Sequence, residues 1–134
     1  MFEYAKDRFI NFINNSYDLN DEKIKHKLNH TFHVVDNARY LCDKMNIDNE
    51  NKEITLIIAL LHDIGRFEQL RRYDSFIDNK TVDHAALGIE ILFNDGLIEL
   101  FEIVLKRFVR FLLVILARQF YLDVFPWQFF YSSS

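Results

Sequence analysis

Residues 51–65 read NKEITLIIALLHDIG, and the fold turns on how this stretch is read. Ile54–Leu61 (ITLIIALL) is apolar on every side of a helix, which predicts a third helix over residues 51–64, buried all round at the centre of a domain. His62 and Asp63 follow directly, and Gly65 reads as the stop. Burying an imidazole and a carboxylate is costly unless they are paired or bind a metal. Neighbouring helical residues point about 100° apart and pair with each other poorly, but both can approach one ion where a helix ends. The competing reading is a core histidine satisfied by a nearby carboxylate or cap.

Upstream, Tyr4, Phe9, Phe12 and Ile13 predict a short first helix over residues 3–13. A second helix is predicted from about Asn20 to Met45, with Ile24, Leu28, Val34, Val35, Ala38 and Leu41 as its inner stripe and Asp18 or Asn20 as its cap. Downstream, Arg66–Lys80 is polar and irregular and reads as a surface loop. Thr81 is the expected cap of a fourth helix running to about Phe93, and Asn94-Asp95-Gly96 turns into a fifth from Leu97. No segment alternates with period two long enough for a strand. The expected class is all-α, a bundle of about five helices.

The remaining histidines fall on these helices. His26, His30 and His33 are spaced i, i+4, i+7 on one face of the second, a row that suits one ligand with neighbours or a solvated polar face. His84 lies near the start of the fourth. Imidazole and carboxylate donors together suit Mn²⁺, Fe²⁺, Co²⁺, Ni²⁺ or Zn²⁺, with Mg²⁺ open but better matched to an all-oxygen site. Cys42, the single cysteine, belongs to no such cluster and is expected in the core.

Three stretches, His30-Thr-Phe-His-Val-Val-Asp-Asn-Ala38, Leu61-His-Asp-Ile-Gly-Arg-Phe67 and Asp83-His-Ala-Ala-Leu-Gly88, resemble the HD-domain metal-dependent phosphohydrolases, in particular small stand-alone bacterial members. The resemblance covers roughly residues 20–100 and rests on three motifs in order. It implies a helical bundle whose first ligand is His30, with His33 as understudy, whose naming pair is His62-Asp63, and whose second metal, where present, gains His84. It further implies that Asp63 bridges metals or orients the nucleophile. The substrate class implied is a small phosphorylated molecule, nucleotides included. Arg66, directly after the pair, could clamp phosphate oxygens with its planar fork, or be a surface charge like Arg71 and Arg72.

The 134 residues make one domain of ordinary size. Half are apolar or aromatic, 27% are charged, and three Gly and one Pro exclude collagen-like and disordered readings. A formal charge of −4 argues against a general nucleic-acid binder. One cysteine cannot form an internal disulfide, and the charged start MFEYAKDRF lacks a signal peptide's apolar run, so a cytoplasmic protein is expected.

The averages conceal two populations. Residues 1–106 hold every Lys, Asn and His and 19 of the 20 acids, while residues 107–134 hold nine aromatics, three Arg and one acid, Asp123. The longest apolar run in that tail, Phe111–Ala117, is too short to span a bilayer. Twenty-eight residues are also too few for a second domain, so the division expected is an HD-type domain over 1–106 with an atypical tail over 107–134. The resemblance calls for an Asp on a later helix, and Asp123 in Leu122-Asp-Val-Phe125 is a weak substitute. Relatives commonly continue a Val-Leu-Lys run with Ala-Ile-Arg, whereas this chain reads Val104-Leu-Lys-Arg-Phe-Val-Arg110, a change that a one-base slip produces. Translation out of frame from about Lys106 competes with a divergent aromatic helix. Three functions remain in play: a metal-dependent phosphohydrolase, impaired or not; a non-catalytic binding module or degenerate HD domain; and an iron-dependent oxygenase on the same scaffold.

Overall fold

A computed structural model of the chain describes residues 1–97, 99, 100, 102 and 104–107. The described residues hold no strand and five bounded α-helices, α1 Phe2–Ser16, α2 Glu22–Lys44, α3 Asn49–Leu61, α4 Ile64–Tyr73 and α5 His84–Asn94, and residues 99, 100, 102 and 104–107 are helical as well, where a helix from Leu97 is expected. A single 3₁₀ turn, Asp78–Lys80, stands between α4 and α5. Met1–Phe101 forms one compact unit, and Glu102–Ser134 is assigned to a second. The tail from residue 108, with Asp123, lies outside the described residues.

Helix α3 is the hub of the first unit, and both α1 and α2 pack against it. Leu56, Ile57 and Leu60 are fully enclosed, but Ile58 is half exposed, so the apolar run has one wet side. Helix α1 buries Phe2, Ala5, Phe9 and Ile13, a 3–4–4 spacing that makes one stripe. Tyr4 falls off that stripe; it is half exposed and donates its hydroxyl to Glu99. On α2 the buried line is Ile24, Thr31, Val35 and Cys42, and Leu41 faces out. Phe9 of α1 meets Phe32 of α2 and Phe67 of α4 edge to face, at centroid distances of 6.3 and 6.0 Å, and knits three helices together.

The largest departure from expectation is Arg66–Lys80, which is helical to Tyr73 rather than a loop. Its polar composition misleads because the polar side chains are satisfied inside the fold. Ile64, Phe67 and Leu70 supply the apolar face, while Glu68 and Gln69 are buried with partners. Gly65 does not stop α3, which ends at Leu61; it lies inside α4, against α5. Caps shift as well: Asp21, not Asp18 or Asn20, receives the Lys23 and Ile24 amides of α2. Asp83, not Thr81, caps α5 by accepting from the Ala85 amide, and the Thr81 hydroxyl instead donates to the Ile77 carbonyl.

The Glu68 carboxylate is the most heavily committed charge in the core. Its side chain is 8% exposed, and it accepts from Arg71 and Arg72 and from the Tyr17 hydroxyl. Burial works to raise its pKa, but the hydrogen bonds from Arg71, Arg72 and Tyr17 outweigh this and hold it below its ordinary 4.5. Burial, then the Glu68 charge, pushes the Tyr17 hydroxyl the other way, far above its usual range. Glu68→Gln should therefore lower stability by about 2 kcal/mol near neutral pH, the scale of hydrogen bonds to a charged group. A depressed folded pKa contributes stability that is complete above the ordinary value of 4.5 and lost as pH falls through the lower folded value. Urea melts of parent and variant should accordingly converge in acid; a gap independent of pH would refute this role.

Candidate metal centre

Four segments place the site. Helix α3 ends at Leu61, and the chain turns through His62 and Asp63 before α4 begins. His30 comes from the middle of α2, and His84 is the first residue of α5. Asp63 stands at the centre, with its side chain 14% exposed. Its Oδ2 lies 3.2 Å from His62 Nε2 and 3.9 Å from His30 Nε2, and its Oδ1 lies 3.6 Å from His84 Nε2. Thus one carboxylate shows one oxygen to two imidazoles and the other oxygen to a third. Candidate donor atoms of His30, His62 and Asp63 all fall within 4.8 Å of one another. His84 falls in a second such group, with Asp78 and Asp83, and His26 and His33 stand in neither.

Two of the three imidazoles are aimed by a partner on the far side of the ring. His62 Nδ1 sits 2.6 Å from the Ala59 carbonyl, which can only accept, so Nδ1 donates there and Nε2 is the ring nitrogen turned towards Asp63. His84 Nδ1 is 2.8 Å from Asp78 Oδ2, the carboxylate–histidine arrangement that orients metal ligands. Asp78 is fixed in turn by Arg66 Nη1 at 2.8 Å and by Gln69 Nε2 at 2.9 Å, the latter from a side chain with no exposure. The hydrogen bond with His84 leads the causes that hold the Asp78 carboxyl below its usual range, burial opposing it. Asp78 and Gln69 fall in the stretch that reads as a loop, and no spacing in the sequence signals them.

The electrostatics suit a cation. Burial would raise the Asp63 pKa, yet the Lys27 hydrogen bond and the charges of His62, Lys27 and Arg66 keep it below the ordinary carboxylate value. Desolvation and the Lys27 charge lower His30, against the pull of Asp63, which favours the neutral imidazole that a metal requires. Donors about 2.0–2.2 Å from one ion stand roughly 3–3.5 Å apart, so the His62–Asp63 spacing fits and His30 and His84 lie slightly wide. A set of two or three imidazoles and a carboxylate matches the borderline divalent ions better than Mg²⁺.

Arg66 lies beside this cluster, its Nε 3.9 Å from Asp63 Oδ1. Its Nη1 is shared by Gln69 Oε1, the Phe76 carbonyl and Asp78 Oδ1, which ties α4 to the segment before α5. Arg71 and Arg72 are engaged with Glu68. Asp78→Asn should weaken metal binding about ten- to hundredfold, the usual effect of losing an outer partner, while far-UV circular dichroism stays unchanged. Calorimetric titration with Mn²⁺ checks this, and unchanged affinity would count against it.

None of the described helices is long and apolar enough to cross a membrane. Comparison with curated proteins and with solved structures finds no match. A family model, described as HD domain, matches residues 28–117. That span takes in His30, His62, Asp63 and His84 and two thirds of the sequence, so the chain belongs to the HD domain family.

Proposed function

We propose that the protein is a metal-dependent phosphohydrolase acting on a small phosphorylated molecule, a nucleotide among the candidates, with His30, His62, Asp63 and His84 as metal ligands. The observation that carries this reading is the convergence of three imidazole Nε2 atoms on the two oxygens of Asp63. A divalent ion bound there supplies a Lewis acid and a water of lowered pKa. Asp63 is held ionised and is a weak proton acceptor, so its part is to hold charge and orient the nucleophile rather than to act as general base. Arg66 has committed Nη1 to the 74–83 segment, which leaves its other donors for a phosphate oxygen.

The division at residue 106 and the out-of-frame tail belong to this proposal, because the later-helix Asp implied by the family resemblance has no counterpart but Asp123. Resequencing the gene decides it; alternative frames without a His- or Asp-bearing helix would remove the idea. One observation favours the non-catalytic alternative: Lys27 already neutralises Asp63 without a metal. Purified full-length chain, screened for phosphate release from phosphomonoesters and nucleotides with Mn²⁺, Co²⁺ or Ni²⁺, separates the two. Metal-dependent release supports the enzyme. Tight metal binding with no release from any substrate supports the module.

A further inference from the structure

Lys27 is the cation that touches the Asp63 oxygen facing His30 and His62, and its position has consequences for what the site can bind. It lies one turn before His30 on α2, and its ammonium sits 2.5 Å from Asp63 Oδ2, the oxygen that also faces His62 and His30. Both side chains are largely enclosed, at 12% and 14% exposure. Among the described residues Asp63 is its only ion-pair partner; otherwise the ammonium lies over the Phe76 ring, 5.8 Å from the centroid. An ammonium and a divalent cation cannot share that oxygen at close range, and the ion with two charges and added imidazole donors takes it. Lys27 is then a nearly buried cation without a counter-ion, a state that strongly favours the arrival of an anion. Lysine suits such a change of partner, being a point charge on a flexible stem with three rotatable donors.

We propose that Lys27 is a phosphate-binding residue released by metal loading, so that metal and phosphate bind this site with positive coupling. The inference rests on the metal site proposed above and assigns that site its anion-recognising group. Coupling is reciprocal: each ligand raises the affinity for the other by the same factor. Removing the Lys27 charge deletes both a competitor for Asp63 and a partner for phosphate. Metal alone should then bind more tightly, and added phosphate should help less.

The test is titration of the full chain with micromolar Mn²⁺, followed by electron paramagnetic resonance, with and without orthophosphate. Parent protein should bind Mn²⁺ about tenfold more tightly with phosphate present. Lys27→Met should bind Mn²⁺ more tightly than parent in its absence and lose at least half of the enhancement. Lys27→Arg, which keeps the charge, should retain it, and Lys27→Gln serves if the Met variant does not fold. A Met or Gln variant with parental metal affinity and parental enhancement would overturn the proposal alone. A parent that binds no Mn²⁺ would overturn the metal site itself, and the proposal with it.

Discussion

Asp63→Asn should leave the helices folded and reduce affinity for Mn²⁺ or Co²⁺ by at least about a hundredfold, beyond the ten- to hundredfold that loss of an outer partner brings. The side chain keeps its shape but loses the charge on which three imidazoles and one ammonium converge. Asparagine offers one oxygen where the carboxylate serves two sides, Oδ2 toward His30 and His62 and Oδ1 toward His84. Any metal-dependent phosphate release should fall with metal occupancy. The substitution also strands the Lys27 ammonium, 12% exposed, so some loss of stability accompanies it, about 1–3 kcal/mol for an unsatisfied charged partner. Metal affinity by calorimetry and stability by urea melt distinguish the two effects. Parental metal affinity in the variant would mean that the ion binds elsewhere.

Gly65→Ala should be among the most disruptive single-methyl changes in the chain. A Cβ at this position would lie 1.8 Å from the His84 carbonyl oxygen and 2.6 Å from the Gly88 amide nitrogen. Both are backbone atoms of α5, so no side-chain rotation relieves the clash and the two helices must separate. Overpacking of this kind costs about 3 kcal/mol or more. The same movement carries His84 away from Asp63, so metal affinity should fall together with melting temperature. Gly88→Ala is the internal control: its Cβ would meet the Ile64 side chain at 3.5 Å, an ordinary contact. That change should be neutral, or stabilising by up to about 1 kcal/mol through helix propensity. Equal effects from the two substitutions would contradict this account of the α4–α5 contact.

Gly65 also shows where a sequence reading runs out. A glycine after an apolar helix reads as a stop, whereas here it permits two helices to touch, and only three-dimensional proximity reveals that. The helix over Ile64–Tyr73 was hidden for a related reason. Glu68, Gln69, Arg71 and Arg72 look like a solvated stretch, yet they are paired through Tyr17, Asp78 and Glu90, whose positions are remote in sequence. By contrast, the all-helical class, the central place of the apolar segment, though not its burial all round, and the burial of Cys42 follow from local periodicity and composition. His62 and Asp63 could be nominated as donors because polar residues at the end of an apolar helix need a partner, and His30 and His84 because their motifs resemble those of the HD-domain family. The partners Asp78 and Lys27 could not, since nothing in local spacing connects residue 27 to 63 or 78 to 84.

The central claim is that a divalent ion is held by imidazoles gathered around Asp63. Histidine ring ¹H–¹⁵N spectra of the full chain, titrated with Zn²⁺, test it most directly. At the first equivalents the Nε2 resonances of His30, His62 and His84 should shift together, with Nδ1 of His62 and His84 remaining protonated, while His26 and His33 stay unmoved. Zn²⁺ that leaves the three rings unchanged, or perturbs His26 and His33 equally, would contradict the account.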